Sequence, residues 1–270
     1  MNDLEPFAKL AVALEPWRHQ IVFAGGWAYR LYRQHPLAVV PSYAALFTRD
    51  ADVTLGDKDR FDGNIKDALT GAGFHEDLQS EFKPPVSKYT LGKDEQAGFY
   101  AEFLTTLRGS GTKRTGEPDA TTELAGVTAQ KLRYMDLLLV SPWQVSLTKD
   151  ANLPQTLDGL QIPNPVAFIV QKLLVHDKRR KEKKPQDVLY IHDTLELFGA
   201  QADVLATIWK DEIVPAYPER DIKKALQARD EIFSGVTDTM REAARIPTDR
   251  TLVPEDMHAL CEELLNDMLG

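Results

Sequence analysis

The sequence predicts an α+β fold: a mixed sheet with helices in the N-terminal half, joined to a helical C-terminal half. Three observations carry this. A strand, a glycine turn, a helix and a second strand follow one another within residues 21–55. Apolar runs of strand length recur at Val86–Leu91 and over residues 98–107. From Asn164 onward, prolines divide the chain into segments of helical length. The expected division is a domain over residues 1–160 and a helical domain over residues 161–270 packed against it.

Each element has its own local reason. Pro6 sits where a first helical turn tolerates it, so residues 5–14 read as an opening helix. The run IVFA reads as a buried strand; Gly25 and Gly26 follow, then WAYRLYRQ, a helix stopped by Pro36. Period-two alternation places Thr48, Asp50, Asp52 and Thr54 on one face of the next strand, and Arg49 on the other. Phe61, Ile65 and Leu69 recur at helical spacing, which predicts a helix over 62–70 ending at glycine. In the strand over 98–107, Tyr100, Glu102 and Leu104 share a face. Residues 108–122 are rich in glycine, threonine and charge and read as an exposed loop. YMDLLLV reads as a further buried strand with Asp136 at its start.

In the second half, Asn164 as N-cap and Pro165 at the first position open a helix expected to run to about Lys184. Pro185 opens the next helix, which Gly199 closes. Residues 201–270 read as three or four amphipathic helices, broken near Pro215 and Pro218, near Pro247 and before Pro254.

Composition narrows the function classes. A net charge of −9 argues against a protein that coats nucleic acid indiscriminately, yet residues 172–184 gather seven lysines and arginines against Asp177 and Glu182. At about 100° per residue, Lys172, Arg179 and Lys183 fall within about 40° of one another on a continuous helix. Such a stripe faces solvent or an anion, and a triphosphate or an RNA backbone fits it. Cys261 is the single cysteine, which rules out an intramolecular disulfide and leaves thiol catalysis without a grouped histidine. No apolar run has the length of a membrane span, and the acidic N-terminus lacks the apolar core of a signal peptide, so no membrane and a cytoplasmic location are expected. The six histidines show no ligand spacing, and there is neither a Walker A loop nor a G-x-G-x-x-G.

The chemistry concentrates in residues 21–55. Two carboxylates on one strand face repel each other unless a cation sits between them, and a divalent metal takes carboxylate oxygens. Paired glycines let backbone approach a phosphate, with the following helix N-terminus toward the anion. An acidic Glu102 inside the apolar run GFYAEFLTTL also needs a partner, which the same metal would supply. Asp136 is the rival for this third carboxylate, and Glu102 is preferred because its strand follows the D-x-D region.

Gly25-Gly26, Asp50-Ala51-Asp52 and a later-strand carboxylate resemble the signature of the DNA polymerase beta-like nucleotidyltransferase superfamily, most of all its minimal, AbiEii-like bacterial members, several of which are toxins of toxin–antitoxin or phage-defence systems. The interval from Gly26 to Asp50, which holds Pro36 and Pro41, is longer than in the compact members. The resemblance implies a nucleotidyltransferase-type sheet and transfer of a nucleoside monophosphate from a nucleoside triphosphate to an acceptor hydroxyl on an RNA end, a protein or a small molecule. It implies Mg²⁺ or Mn²⁺ held by Asp50, Asp52 and Glu102, and nucleotide binding by Gly25, Gly26, Lys172 and Arg179, to which the spacing of the basic stripe adds Lys183. The lysine and arginine would precede a K-x-x-D element, here Lys184 to Asp187. A cognate antitoxin is the partner implied for a toxin. Two rival readings are an inactive nucleotidyltransferase fold serving as a binding or regulatory protein, and a glycosyltransferase using D-x-D for a nucleotide sugar's metal.

Overall fold

The computed structural model describes residues 4–79, 86–92, 98–148, 153 and 155–270. The chain forms two units: residues 1–34 with 47–163, and residues 35–46 with 164–270. The second therefore takes in a short stretch lying well inside the N-terminal half of the sequence.

The first unit opens with α1 (Leu4–Ala13), β1 (Ile21–Ala24), α2 (Gly25–Leu31) and β2 (Asp50–Leu55). It continues with α3 (Ile65–Gly71), β3 (Phe74–Gln79), β4 (Val86–Leu91), β5 (Phe99–Thr106), β6 (Thr121–Leu124) and β7 (Val127–Leu132). A two-stranded sheet of β8 (Trp143–Leu147) and β9 (Leu157–Ile162) ends it. The main sheet runs β1-β2-β5-β4-β3, with β7 joining β5 and β6 joining β7. β2 and β5 are parallel while β1–β2, β3–β4 and β4–β5 are antiparallel, which makes the sheet mixed.

The strand β5 is the hub. Along one edge it pairs with β2 from Tyr100 to Leu104. Along the other it pairs first with β4 and then, from Leu104 to Thr106, with β7. An aromatic cluster anchors α1 and α2 in this unit: Phe7 stacks on Trp27 with ring centroids 3.9 Å apart, and Phe23 and Phe99 meet the pair edge-on. Phe7 and Trp27 are fully buried, each contributing on the order of 2–3 kcal/mol of apolar burial.

The second unit carries α4 (Pro165–Val175), α5 (Lys184–Phe198), α6 (Ala202–Ile208), α7 (Val214–Ala216), α8 (Glu219–Ile232), α9 (Asp238–Ala244) and α10 (Pro254–Leu269). Asn164 caps α4 by accepting from the Ala167 N–H, and Pro165 follows at the first turn, as the sequence predicts. Within this unit residues 35–46 are tied down: the Val39 N–H donates to the Leu197 carbonyl, the Tyr43 hydroxyl to Glu196, and the Arg250 guanidinium lies 3.3 Å from the Tyr43 ring centroid. Among the described residues no helix is long and apolar enough to cross a membrane.

Several expectations are corrected. YMDLLLV is not a strand but a 3-10 turn over Asp136–Leu139, whose Met135 and Leu138 are buried together with Ala24 and Leu104. Tyr134 and Ser141 take positive φ at its two ends, so the segment is a compact apolar plug rather than extended chain. Short apolar runs fit either geometry, and here tertiary packing decides. The expected helix to Lys184 ends at Val175; a 3-10 turn, His176–Lys178, follows, and Arg179 is extended. Crowded cations past the end of α4 explain why propagation fails there. The strands β3, β6, β7, β8 and β9 carry too little alternation to have been singled out.

Candidate active site

The site is built on β2 and β5, at their N-terminal ends. Their parallel register sets Asp50 across from Tyr100 and Asp52 across from Glu102. Directly opposed residues project from the same face of a sheet, so Asp50, Asp52, Tyr100 and Glu102 form one four-residue plaque. All four side chains are half-buried, while Ala51, Val53, Ala101 and Phe103, which alternate with them, are buried on the other face. The alternation read from the sequence is therefore physical: acids on one side, core on the other.

The two glycines exist because of this plaque. Gly25 has φ +56°, and a Cβ there would stand 2.0 Å from Asp52 Oδ2. A Cβ on Gly26 would meet Thr48 at 2.9 Å. No side chain fits at Gly25, and one at Gly26 would have to displace Thr48. Thr48 in turn donates its hydroxyl to Asp50 Oδ1. Both glycines are the opening residues of α2, and Ala24 of β1 pairs with Asp52, so the strand end brings the turn onto the carboxylate.

Electrostatics mark the plaque. The Tyr100 phenol is pushed well up by burial, reinforced by the charges of Asp50, Glu102 and Asp52. Lys88 of β4, across from Glu102, places its ammonium 3.1 Å from the Glu102 carboxylate and 4.3 Å from the Tyr100 ring centroid. Sequence reading did not single out Lys88. Its signal was a lone cation at the centre of VSKYTL, but only the register shows which acid it meets.

Glu102 and Asp136 stand in different places. Glu102 is beside Asp52, whereas Asp136 lies 3.6 Å from Arg108. That arginine also pairs with Asp57, 2.6 Å away, and both follow the C-terminal ends of β2 and β5.

Asp50, Asp52 and Glu102 carry oxygen atoms of the kind a hard divalent cation takes, but among the described residues the side chains whose ligand atoms already lie within 4.8 Å of one another are a different group, on α5. The glycine leaves room for one of these acids: a side chain at Gly25 would fill the place of an Asp52 oxygen.

The expected basic stripe is corrected in geometry. Lys172 lies in α4, Arg179 beyond it and Lys183 in a 3-10 turn before α5, so the three do not share a helix face. Lys172 is 5% exposed, not a solvent-facing cation. Its ammonium lies 2.9 Å from Asp187, whose other oxygen accepts from Arg179 Nε at 2.8 Å. Burial tends to raise the Asp187 carboxyl, but the charges and hydrogen bonds of Lys172 and Arg179 outweigh it and hold it below the ordinary carboxylate range. Lys183 is exposed and its ammonium donates to Gln186 at 3.4 Å.

One further group was missed. On α5, His192, Asp193 and Glu196 bring ligand-type atoms within 4.8 Å of one another, a set of three that a metal ion fits. Both Asp193 oxygens accept from Arg250 at 2.6 Å, His192 Nδ1 lies 2.8 Å from the same carboxylate, and Glu196 accepts from Tyr43. The arginine and tyrosine already serve these acids.

A D-x-D strand and a neighbouring glutamate thus share one face of a mixed sheet, with a Gly-Gly turn closed onto Asp52. The chain belongs to the nucleotidyltransferase family: residues 7–215 match that family's model, described as Nucleotidyltransferase, and its activity is nucleotidyl transfer. Among solved structures it is similar to an antigenic nucleotidyltransferase-like protein from Paracoccidioides brasiliensis, at 15% identity over 82% of this chain and 92% of that one, with a TM-score of 0.37. No curated protein matches the sequence.

Proposed function

We propose that this protein is a metal-dependent nucleotidyltransferase that moves a nucleoside monophosphate from a nucleoside triphosphate to an acceptor hydroxyl. The observation that carries the reading is the register of Asp52 across from Glu102, with Asp50 two residues away on the same face. In the reaction the acceptor oxygen forms a bond to the α-phosphorus, the bond from that phosphorus to the bridging oxygen breaks, and pyrophosphate leaves. Asp50 and Asp52 would hold a Mg²⁺ or Mn²⁺ ion on the triphosphate, and Glu102 would help hold one at the acceptor. Bound there, the cations supply charge neutralisation and ease loss of the acceptor's proton. Gly25 and Gly26 let the turn close onto Asp52 and Thr48, and their backbone is proposed to lie against the phosphates whose cation Asp52 would hold. Most of the protein's contribution is placement and charge, because phosphoryl transfer asks for little covalent work.

The sheet-bearing unit is the proposed catalytic domain, and the helical unit the C-terminal domain. In the latter, Arg179 and Lys183 are the proposed contacts to nucleotide or acceptor phosphates, while Lys172 supports Arg179 through their shared Asp187. The acceptor is proposed to be an RNA end, a protein or a small molecule. The AbiEii-like assignment, a cytoplasmic toxin with a cognate antitoxin, rests on the Gly-Gly and D-x-D resemblance. The rival reading, an inactive fold retained for binding, fits less well with a glutamate in register beside the D-x-D pair.

The test is incubation with each α-labelled nucleoside triphosphate, Mg²⁺ and total cellular RNA or protein. Label transferred by the wild type and lost in Asp52→Asn supports the reading. Binding of triphosphate without transfer to any acceptor class favours the inactive alternative. Growth arrest on expression, relieved in Asp52→Asn, supports the toxin assignment.

A further inference from the structure

The row of residues that crosses the sheet through the site does not end at Glu102. The successive registers align Asp52 of β2, Glu102 of β5, Lys88 of β4 and Asp77 of β3. Directly opposed side chains on neighbouring strands lie within about 5 Å at Cβ, so each contacts only the next in line. Lys88 thus stands between two acids. Its ammonium has taken Glu102, at 3.1 Å, and rests against the face of the Tyr100 ring. Both ends of that ion pair are half-buried, at 21% side-chain exposure each. An ion pair so placed is screened less than a surface pair, and a cation that takes the same carboxylate meets the lysine's charge at close range.

We propose that Lys88 is a positioning residue that competes with the acceptor-side cation for Glu102 and shifts to Asp77 when that cation binds. This rests on the reading of Asp50, Asp52 and Glu102 as cation-holding carboxylates. A divalent cation on Glu102 places two positive charges beside the ammonium, which sits on Oε1, and their repulsion across one carboxylate weakens the ion or moves the lysine. The lysine has a long flexible stem, and Asp77 is the next acid in its own row. Lys88 thereby keeps the third carboxylate compensated while the acceptor position is empty, and makes occupancy of that position weaker than occupancy at Asp50 and Asp52.

The experiment is titration of the full chain with Mn²⁺ in the presence of a saturating non-hydrolysable nucleoside triphosphate analogue, free Mn²⁺ being read by electron paramagnetic resonance. Wild type is expected to bind one ion tightly and a second more weakly. Lys88→Met should bind the second ion roughly five- to tenfold more tightly, the scale of a half-buried charge that the ion no longer meets, with the first ion unchanged. Lys88→Arg should restore the weak second site. Asp77→Asn, which removes the alternative partner, should weaken the second ion by about two- to threefold. Thermal unfolding of each variant, with Lys88→Gln as a second neutral replacement, separates a folding defect from a change in affinity. A second-ion affinity that is unchanged or weaker in folded Lys88→Met or Lys88→Gln overturns the proposal. If Asp50→Asn and Asp52→Asn abolish Mn²⁺ binding while Lys88 variants leave the second ion unmoved, the cation site stands and only the role of Lys88 falls. If neither aspartate variant alters Mn²⁺ binding, both fall together.

Discussion

Two groups of acids in this chain have opposite surroundings. On the helical unit, Asp187 and Asp193 are almost wholly buried and each is gripped by internal cations: Lys172 and Arg179 for the first, Arg250 for the second. On the sheet, Asp50, Asp52 and Glu102 are half-buried and face one another across adjacent strands, with Lys88 on the glutamate. Acids enclosed by internal cations hold structure together. Acids crowded beside one another at a strand end are, on the proposed function, the ones that would take a cation from outside. The same residue type thus has an enclosed setting in one region and, on the proposed function, a chemical role in the other.

Predictions sharpen or break this contrast. The largest effect is expected for Asp187→Ala, which strands Lys172 in a buried setting. Loss of about 3–5 kcal/mol in urea unfolding is expected, and a loss below about 1 kcal/mol would place Asp187 with the sheet acids instead. Next come Asp50→Ala and Asp52→Ala. Each should lower transfer by more than about a hundredfold while leaving the melting temperature unchanged or slightly raised, since like-charge repulsion is relieved. Substantial destabilisation in either variant would make the pair structural.

Gly25→Ala tests the cradle. Positive φ and the 2.0 Å approach to Asp52 together should cost about 1–3 kcal/mol and reduce transfer as well, whereas Gly26→Ala, at 2.9 Å from Thr48, should be milder. Full activity in Gly25→Ala would remove the glycine from the site.

Acid titration tests the buried group directly. The Asp187 carboxyl is depressed in the folded state, so its stabilisation is present above the unfolded value of about pH 4 and disappears as pH falls through the folded one. The stability gap between wild type and Asp187→Asn, followed by urea unfolding from pH 6 downward, should therefore close only below about pH 4. A gap independent of pH would mean that the charge on Asp187 is not what stabilises.

The smallest effect is expected at Arg179→Ala. Arg179 has a 43% exposed side chain and shares Asp187 with Lys172. Nucleotide affinity should fall about two- to fivefold at low salt, with a shallower salt dependence. Equal affinities at both salts would confine nucleotide binding to the sheet unit.

Period-two alternation alone separated Asp50 and Asp52 from the core-facing Ala51 and Val53, because a strand with one buried face admits little else. Proline and asparagine placed the start of α4, since their backbone preferences act locally. Adjacent glycines before a helix flagged a close approach, although not what approached. These features needed only the chain's own neighbours.

Tertiary structure decided the rest. YMDLLLV became a 3-10 plug because Ala24 and Leu104 offered it a place to pack, and an apolar run carries no period strong enough to resist. Lys172 is buried within α4, and Arg179, past the helix end at Val175, meets the same Asp187, a pairing that helix periodicity could not foresee. The choice of Glu102 beside Asp52, and of Lys88 beside Glu102, depended on strand order and register, which arise from pairings between residues about fifty and fourteen positions apart. Sequence determined which faces were acidic and where backbone had to be bare. Which acids met, and which cation stood between them, depended on long-range pairing, because hydrogen-bond register is a property of two strands and not of either one alone.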